Sequence, residues 1–115
     1  MQYRLVLDLT GVSYYGHIPE VSQCGGPNVK VFQFELEDWP LFRDDFIEPV
    51  DALCDVLLDY GDVDYFDAEK CKLLHGWLQA RLGKPIVPRL EFLYRKLDEF
   101  ALRAIELDTG VVVEF

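Results

Sequence analysis

Glu48, Asp51, Asp55 and Asp59 recur at intervals of three, four and four residues, with no Lys or Arg between them. On a helix that spacing stacks four carboxylates along one face. Like charges so placed repel by roughly a few tenths of a kcal/mol per pair, and an occasional lysine would relieve the strain. An unrelieved ladder is therefore expected to meet a cation from outside, and its natural chemistry is recognition of Arg and Lys side chains. A purely solvated face that keeps an acidic protein soluble is the simpler alternative. Asp62 and Asp64 carry the acidic run onward, in the pattern Asp59-x-x-Asp62-x-Asp64-x-x-Asp67-x-Glu69. Hard oxygen ligands at such intervals suit calcium, but Phe66 falls at the fifth position of the EF-hand template and Asp67 where glycine is required. We expect an acidic interhelical loop that extends the binding face, with no metal and no cofactor.

Nucleophilic chemistry has thinner support. His17, Ser22 and Cys24 share one loop, and Cys24-Gly25-Gly26 would set a thiol before backbone donors. A small hydrolase or transferase working through His17 and Cys24 is the second alternative to binding. His75, between Leu74 and Trp77, is expected to be a half-buried histidine held by a carboxylate or a carbonyl. No Gly-rich phosphate loop, H-E-x-x-H helix or G-x-S-x-G elbow occurs. Cys24, Cys54 and Cys71 make an odd set without a C-x-x-C pair, so free thiols are expected, the last two in the core. No catalytic residue is assigned.

Charge narrows the partner class. The chain of 115 residues carries a net charge of −10. Residues 35 to 69 hold 13 of its 21 acidic residues and one base, Arg43. Such a field repels nucleic-acid phosphates and anionic lipid, both of which need clustered Lys and Arg. It attracts basic protein surfaces and speeds encounter with them. The start Met1-Gln2-Tyr3-Arg4 does not resemble a secretory leader and no apolar run approaches bilayer length, so a cytoplasmic location is expected.

The elements that must position these groups follow from periodicity. With 50% hydrophobic residues, one domain over residues 1–115 is expected. Alternation predicts strands over 2–9 and 29–37, the two paired, and a third from Val111 to Phe115 after the turn Asp108-Thr109-Gly110. Pro49 and Glu48 open a first helix in which Val50, Leu53, Cys54 and Leu57 repeat until Gly61. Asp67 caps a second helix over 68–82, and Pro88 opens the longest, striped by Leu90, Leu93, Tyr94, Leu97, Phe100, Ala101, Ala104 and Ile105. Glu91 with Arg95, Arg95 with Glu99 and Glu99 with Arg103 should pair along its outer side. The expected fold is thus α+β in the order β-β-α-α-α-β, three helices packed on a three-stranded, mainly antiparallel sheet. Trp39, Phe42 and Phe46 would pack the first helix onto that sheet. Residues 10–28 are too long for a hairpin turn. They offer Tyr14 and Tyr15 to a partner, hold a short strand within Val12–Ile18, or lack order.

A small acidic α+β chain with a carboxylate-lined helix resembles the immunity proteins that neutralise bacterial polymorphic toxins, including those of contact-dependent growth inhibition systems. The stretch Ala104-Ile105-Glu106-Leu107-Asp108-Thr109-Gly110-Val111-Val112-Val113-Glu114-Phe115 is similar to endings in such families. That resemblance implies an acidic surface covering the basic substrate cleft of a nuclease toxin, and it assigns no residue by position; the partner-binding set expected from the acidic pattern and the tyrosine loop is Glu48, Asp51, Asp55, Asp59, Asp62, Asp64, Tyr14 and Tyr15. An adaptor or small subunit of a larger assembly, using the same acidic face and a free sheet edge, is the first alternative.

Overall fold

The computed structural model describes residues 1–115. Its strands are β1 (Gln2–Val6), β2 (Tyr14–Tyr15), β3 (Ile18–Pro19), β4 (Val29–Gln33), β5 (Val63–Asp67) and β6 (Gly110–Glu114). Its helices are α1 (Trp39–Asp45), α2 (Ile47–Cys54), α3 (Ala68–Leu82) and α4 (Pro88–Leu107), with a 3-10 turn at Leu36–Asp38 before α1. The class is α+β, as the alternating and helical periods require, but one strand, a small hairpin and a fourth helix exceed the expected three and three.

The main sheet runs β4-β1-β6-β5, antiparallel throughout. β1 pairs with β4, as expected, and on its other side with β6; β1 stops at Val6 rather than residue 9 and β4 at Gln33 rather than residue 37. Tyr3 and Leu5 face the helices with Val111, Val113 and Phe66 in the main core. Their alternates Gln2, Arg4 and Val6 are buried as well, so β1 has no solvent face. The 10–28 connection supplies the cover. It forms the β2–β3 hairpin, and Leu9, Ile18 and Val21 pack on Val6, Tyr65 and Val112. Arg4 is satisfied beneath it by the Glu114 carboxylate and by the Val21 carbonyl oxygen at 3.5 Å.

α3 and α4 follow the sequence closely. The Asp67 side chain accepts from the Lys70 N–H at 2.9 Å and starts α3 at Ala68. α4 buries the expected stripe apart from Ile105, which is half-buried, and Asp108 ends it in the left-handed conformation. Tyr3 donates from its hydroxyl to the Leu93 carbonyl oxygen at 3.1 Å, pinning β1 under α4. On the outer side Glu91 meets Arg95 at 3.8 Å, but the other expected pairs give way to Lys96–Glu99 and Arg103–Glu106, each three residues apart.

The first expected helix is corrected most. Trp39, Phe42 and Phe46 sit three and four residues apart because they form α1 and its end, which follow directly on a 3-10 turn opened by a capping box between Glu35 and Asp38. Asp38 then accepts two bonds from Arg89, at 2.8 and 2.7 Å, tying this start to that of α4. α2 ends at Cys54, seven residues before Gly61, because Asp55 turns left-handed at φ 53°. Beyond it Val56 and Leu58 are buried while Asp55, Leu57 and Asp59 are exposed, the period of an extended chain. The stretch expected as an acidic interhelical loop then becomes β5, with Asp64, Tyr65 and Phe66 buried.

Gly110 opens β6 where the strands leave no room for a side chain. A Cβ there would stand 2.3 Å from the Phe66 carbonyl oxygen and 2.5 Å from the Tyr65 ring. Gly110→Ala is expected to push β5 off β6 and cost about 1–3 kcal/mol, read as a lower urea midpoint at unchanged slope.

Candidate functional site

The expected ladder does not form. Glu48 and Asp51 lie on α2 and Asp55 caps its end, but the left-handed turn carries Asp59 off the helix. Asp51 is drawn inward, where its Oδ1 accepts from the Leu58 N–H at 3.0 Å and helps hold the chain that leaves α2. Burial pushes its carboxyl up despite that bond, and the nearby charges of Asp64 and Asp59 push it further. Glu48, Asp55, Asp59 and Asp62 are exposed, and none of them forms an ion pair. Lys70 spends its ammonium on the Asp55 carbonyl oxygen at 3.0 Å.

Asp64 is corrected from a partner-binding residue to an anchor. Its side chain is 8% exposed. Oδ2 accepts from the Leu57 N–H at 2.8 Å, and Oδ1 accepts from the Tyr65 N–H at 2.7 Å and from His17 Nε2 at 2.5 Å. Burial raises its carboxyl, yet the two backbone donors and the imidazole together bring it below the ordinary aspartate range. One carboxylate thus joins the tip of the β2–β3 hairpin, the edge of the sheet and the 55–62 segment. Tyr14 and Tyr15, 49% and 80% exposed, project from that same hairpin.

Several acids of the 35–69 segment are neutralised by bases from elsewhere in the chain. Arg89 binds Asp38, Arg81 binds Asp45 and Lys72 binds Glu69. Charge is therefore left open chiefly on α2 and the 55–62 segment, with Glu35 and Glu37 beside the 3-10 turn. Exposed apolar side chains alternate with these acids: Leu36 is 60% exposed, Leu57 81% and Tyr60 59%. Between the 3-10 turn and the 55–62 segment lies an open hollow of about 340 Å³, lined by Met1, Phe34, Leu36, Tyr60, Gly61 and Phe115. Glu35 and Glu37 flank its Leu36 in sequence, and Asp59 and Asp62 flank its Tyr60-Gly61. Reading by charge alone misses this hollow, and its signal is the pair of large apolar residues, Leu36 and Tyr60, set among acids.

The groups suggested for catalysis are separated or occupied. His17 is engaged by Asp64, while Ser22 Oγ accepts from the Cys24 N–H at 3.1 Å in a local turn. Cys24 is exposed; burial pushes the Cys54 thiol up to about 11 and the Cys71 thiol to about 12. Such thiols are poor nucleophiles. His75 accepts its expected role: Nδ1 bonds Asp98 Oδ1 at 2.7 Å, and Gln79 Nε2 donates to Asp98 Oδ2 at 2.8 Å, linking α3 to α4. No three His, Cys, Asp or Glu side chains converge as a metal site, and no helix is long and apolar enough to cross a membrane.

Comparison of the chain with protein-family models, with curated proteins and with solved structures gives no match.

Proposed function

We propose that this chain is a binding protein whose acidic face docks on a basic protein surface, and that it acts as an immunity protein by covering the substrate cleft of a nuclease-type toxin. The observation that carries this reading is the apolar hollow at Leu36 and Tyr60, two exposed residues whose sequence neighbours Glu35, Glu37, Asp59 and Asp62 are exposed acids outside any ion pair. Lys and Arg bury an aliphatic stem while keeping the charged head near anions, so one such side chain from a partner finds both its needs met there. The guanidinium of an arginine also stacks on a tyrosine face. A nuclease cleft presents several such cations, because it is built to replace the counterions of phosphates. Asp51, whose proton is held more tightly by burial first and by the charges of Asp64 and Asp59 second, would release that proton more readily beside an approaching cation.

Asp55→Asn, Asp59→Asn and Asp62→Asn together test the electrostatic half. Asparagine accepts the left-handed backbone at residue 55, and none of the three carboxylates is in an ion pair, so folding is expected to stand. The partner, recovered by pull-down at low salt, should associate at least about tenfold more slowly with the triple variant, with about 2 kcal/mol lost for each close pair. In cells the variant should accumulate normally and fail to protect against the toxin. Unchanged rate and affinity for the partner would reduce the acids to a solvated face.

A further inference from the structure

The sheet has two outer edges, and the chain treats them differently. At β5 the edge is covered: the Tyr65 N–H is taken by the Asp64 carboxylate, and the hairpin lies against the strand through His17. β4 ends the other side. Leu7 donates to the Asn28 carbonyl oxygen and Phe34 to that of Met1, so residues 28, 30, 32 and 34 turn their backbone groups toward β1. Residues 29, 31 and 33 therefore turn theirs outward. The Val29 carbonyl oxygen is occupied by the Gly26 N–H at 3.2 Å. Val31 and Gln33 keep an outward N–H and C=O each, with no strand beyond them.

Natural sheets commonly blunt such an edge with lysine, proline or a bulge. Lys30 lies on β4, but its ammonium sits over the Phe100 ring at 5.9 Å, and Lys96 sits over Phe32 at 5.8 Å. Lys30 is thus folded toward α4, while Lys96 reaches from α4 over the ring of Phe32, and neither occupies an outward backbone group of Val31 or Gln33. Lys30 meets no carboxylate, and Lys96 reaches only Glu99, at 3.5 Å. Beside them Phe92 is 48% exposed with its ring edge-on to Phe32 at 5.9 Å, next to a hollow of about 260 Å³ bounded by Pro88, Glu91 and Arg95.

We propose that the outer edge of β4 receives an extended segment of a second protein as a fifth strand, and that this segment carries a carboxylate and an aromatic or aliphatic side chain at alternate positions. Its backbone pairs with Val31 and Gln33. Alternate residues of a strand point to the same face, as Lys30 and Phe32 do, so the carboxylate lies beside Lys30 and Lys96 and the apolar group beside Phe32 and Phe92. A second copy of this chain suits the edge less well: β4 against β4 would line two sets of lysines along one junction, and the β5 edge of a copy is covered. This surface does not rest on the acidic face. Together the two would let the chain hold a basic partner and an acidic one at once.

The probe is a capped seven-residue peptide with Glu and Phe at alternate positions of one face and Thr and Val on the other, titrated into the full ¹⁵N-labelled chain. The expected result is saturable shifts at the Val31 and Gln33 amides, with hydrogen exchange there slowed at least about tenfold. The same peptide with Lys for Glu should bind at least about tenfold more weakly. Val31→Pro should abolish binding and retain the fold, since an edge strand accepts proline where the N–H points outward. Phe92→Ala, on an exposed ring, provides a second loss of affinity should the proline variant unfold. No shift at these amides up to about 1 mM peptide would overturn the proposal. So would equal binding of the lysine peptide, shifts confined to the Leu36–Tyr60 hollow, or a dimer formed through Val31.

Discussion

Replacing Phe42 with alanine is expected to cost about 3–5 kcal/mol, enough to unfold many domains of this size. Phe42 has no exposed surface, and its ring meets those of Tyr3, Phe34, Phe46, Tyr94 and Phe115 at centroid distances of 4.9 to 6.4 Å. These neighbours come from β1, the ends of β4, α1 and β6, and α4, so the cavity left behind would open at the junction of sheet and helices. Rigid rings contributed by separate elements cannot close it without moving those elements, which places this site toward the upper end of the range. Urea unfolding monitored by tryptophan fluorescence reads the loss. Phe42→Leu keeps an apolar group there and should fold with a smaller one; a Phe42→Ala chain that unfolds at the parent midpoint would contradict this packing.

Asp64→Ala is expected to cost about 3 kcal/mol at pH 7, because it frees two backbone N–H donors and the His17 ring from a charged acceptor at once. The pH dependence distinguishes this anchor from a packing defect. The Asp64 carboxyl lies below its ordinary value in the folded chain, so it binds a proton less readily there than in the unfolded one. Its stabilising contribution is full above the unfolded value of about 3.9 and is lost as pH falls through the lower, folded one. The gap in stability between parent and Asp64→Ala should accordingly narrow as the solution is acidified from about pH 5 toward pH 2. A gap constant over that window would mean that the carboxylate's charge has no part in holding the hairpin. Tyr14 and Tyr15 should also lose their fixed position, seen as broadened or shifted amide signals between residues 10 and 20.

Where local signals act alone, the sequence could be read closely. α3 has its cap at Asp67 and its stop at Gly83, and α4 has Pro88, a wide stripe and the turn at Asp108, each within a few residues of the others. The strands β1, β4 and β6 follow from alternation in the same way, and so does the expected pairing of β1 with β4, whereas the place of β6 between β1 and β5 does not. What was not legible depended on contacts distant in sequence. The apolar positions 50, 53, 54 and 57 match a helix, yet positions 54, 56 and 58 match a strand equally well. The choice is made by Asp51 and Asp64 accepting the N–H groups of Leu58 and Leu57. β5 hides for a related reason: Asp64 and Asp67 make Val63–Asp67 look polar, while Tyr65 and Phe66 are buried on opposite faces of an edge strand. Of the candidate site, the acidic character was readable and its geometry was not. Which acids remain open depends on where Arg81 and Arg89 reach, and the hollow at Leu36 and Tyr60 needs the Phe115 end of β6 as its floor.

β6 lies between β1 and β5, and both are made before it. While the chain is being synthesised, β1 and β4 can pair as soon as both have emerged, but β1 and β5 have nothing to join them until the strand that belongs between them arrives. Each then shows an unpaired backbone edge to the cell, the exposure that favours association with other chains. Completion of the sheet is a single late insertion that closes contacts more than a hundred residues apart, from Gln2 to Glu114. Such closure is slow compared with forming α3 or α4. A chain stalled or cut shortly before Gly110 would keep most of its helices and lack the strand that unites its sheet, and quality-control factors that bind exposed strand edges would meet it in that state.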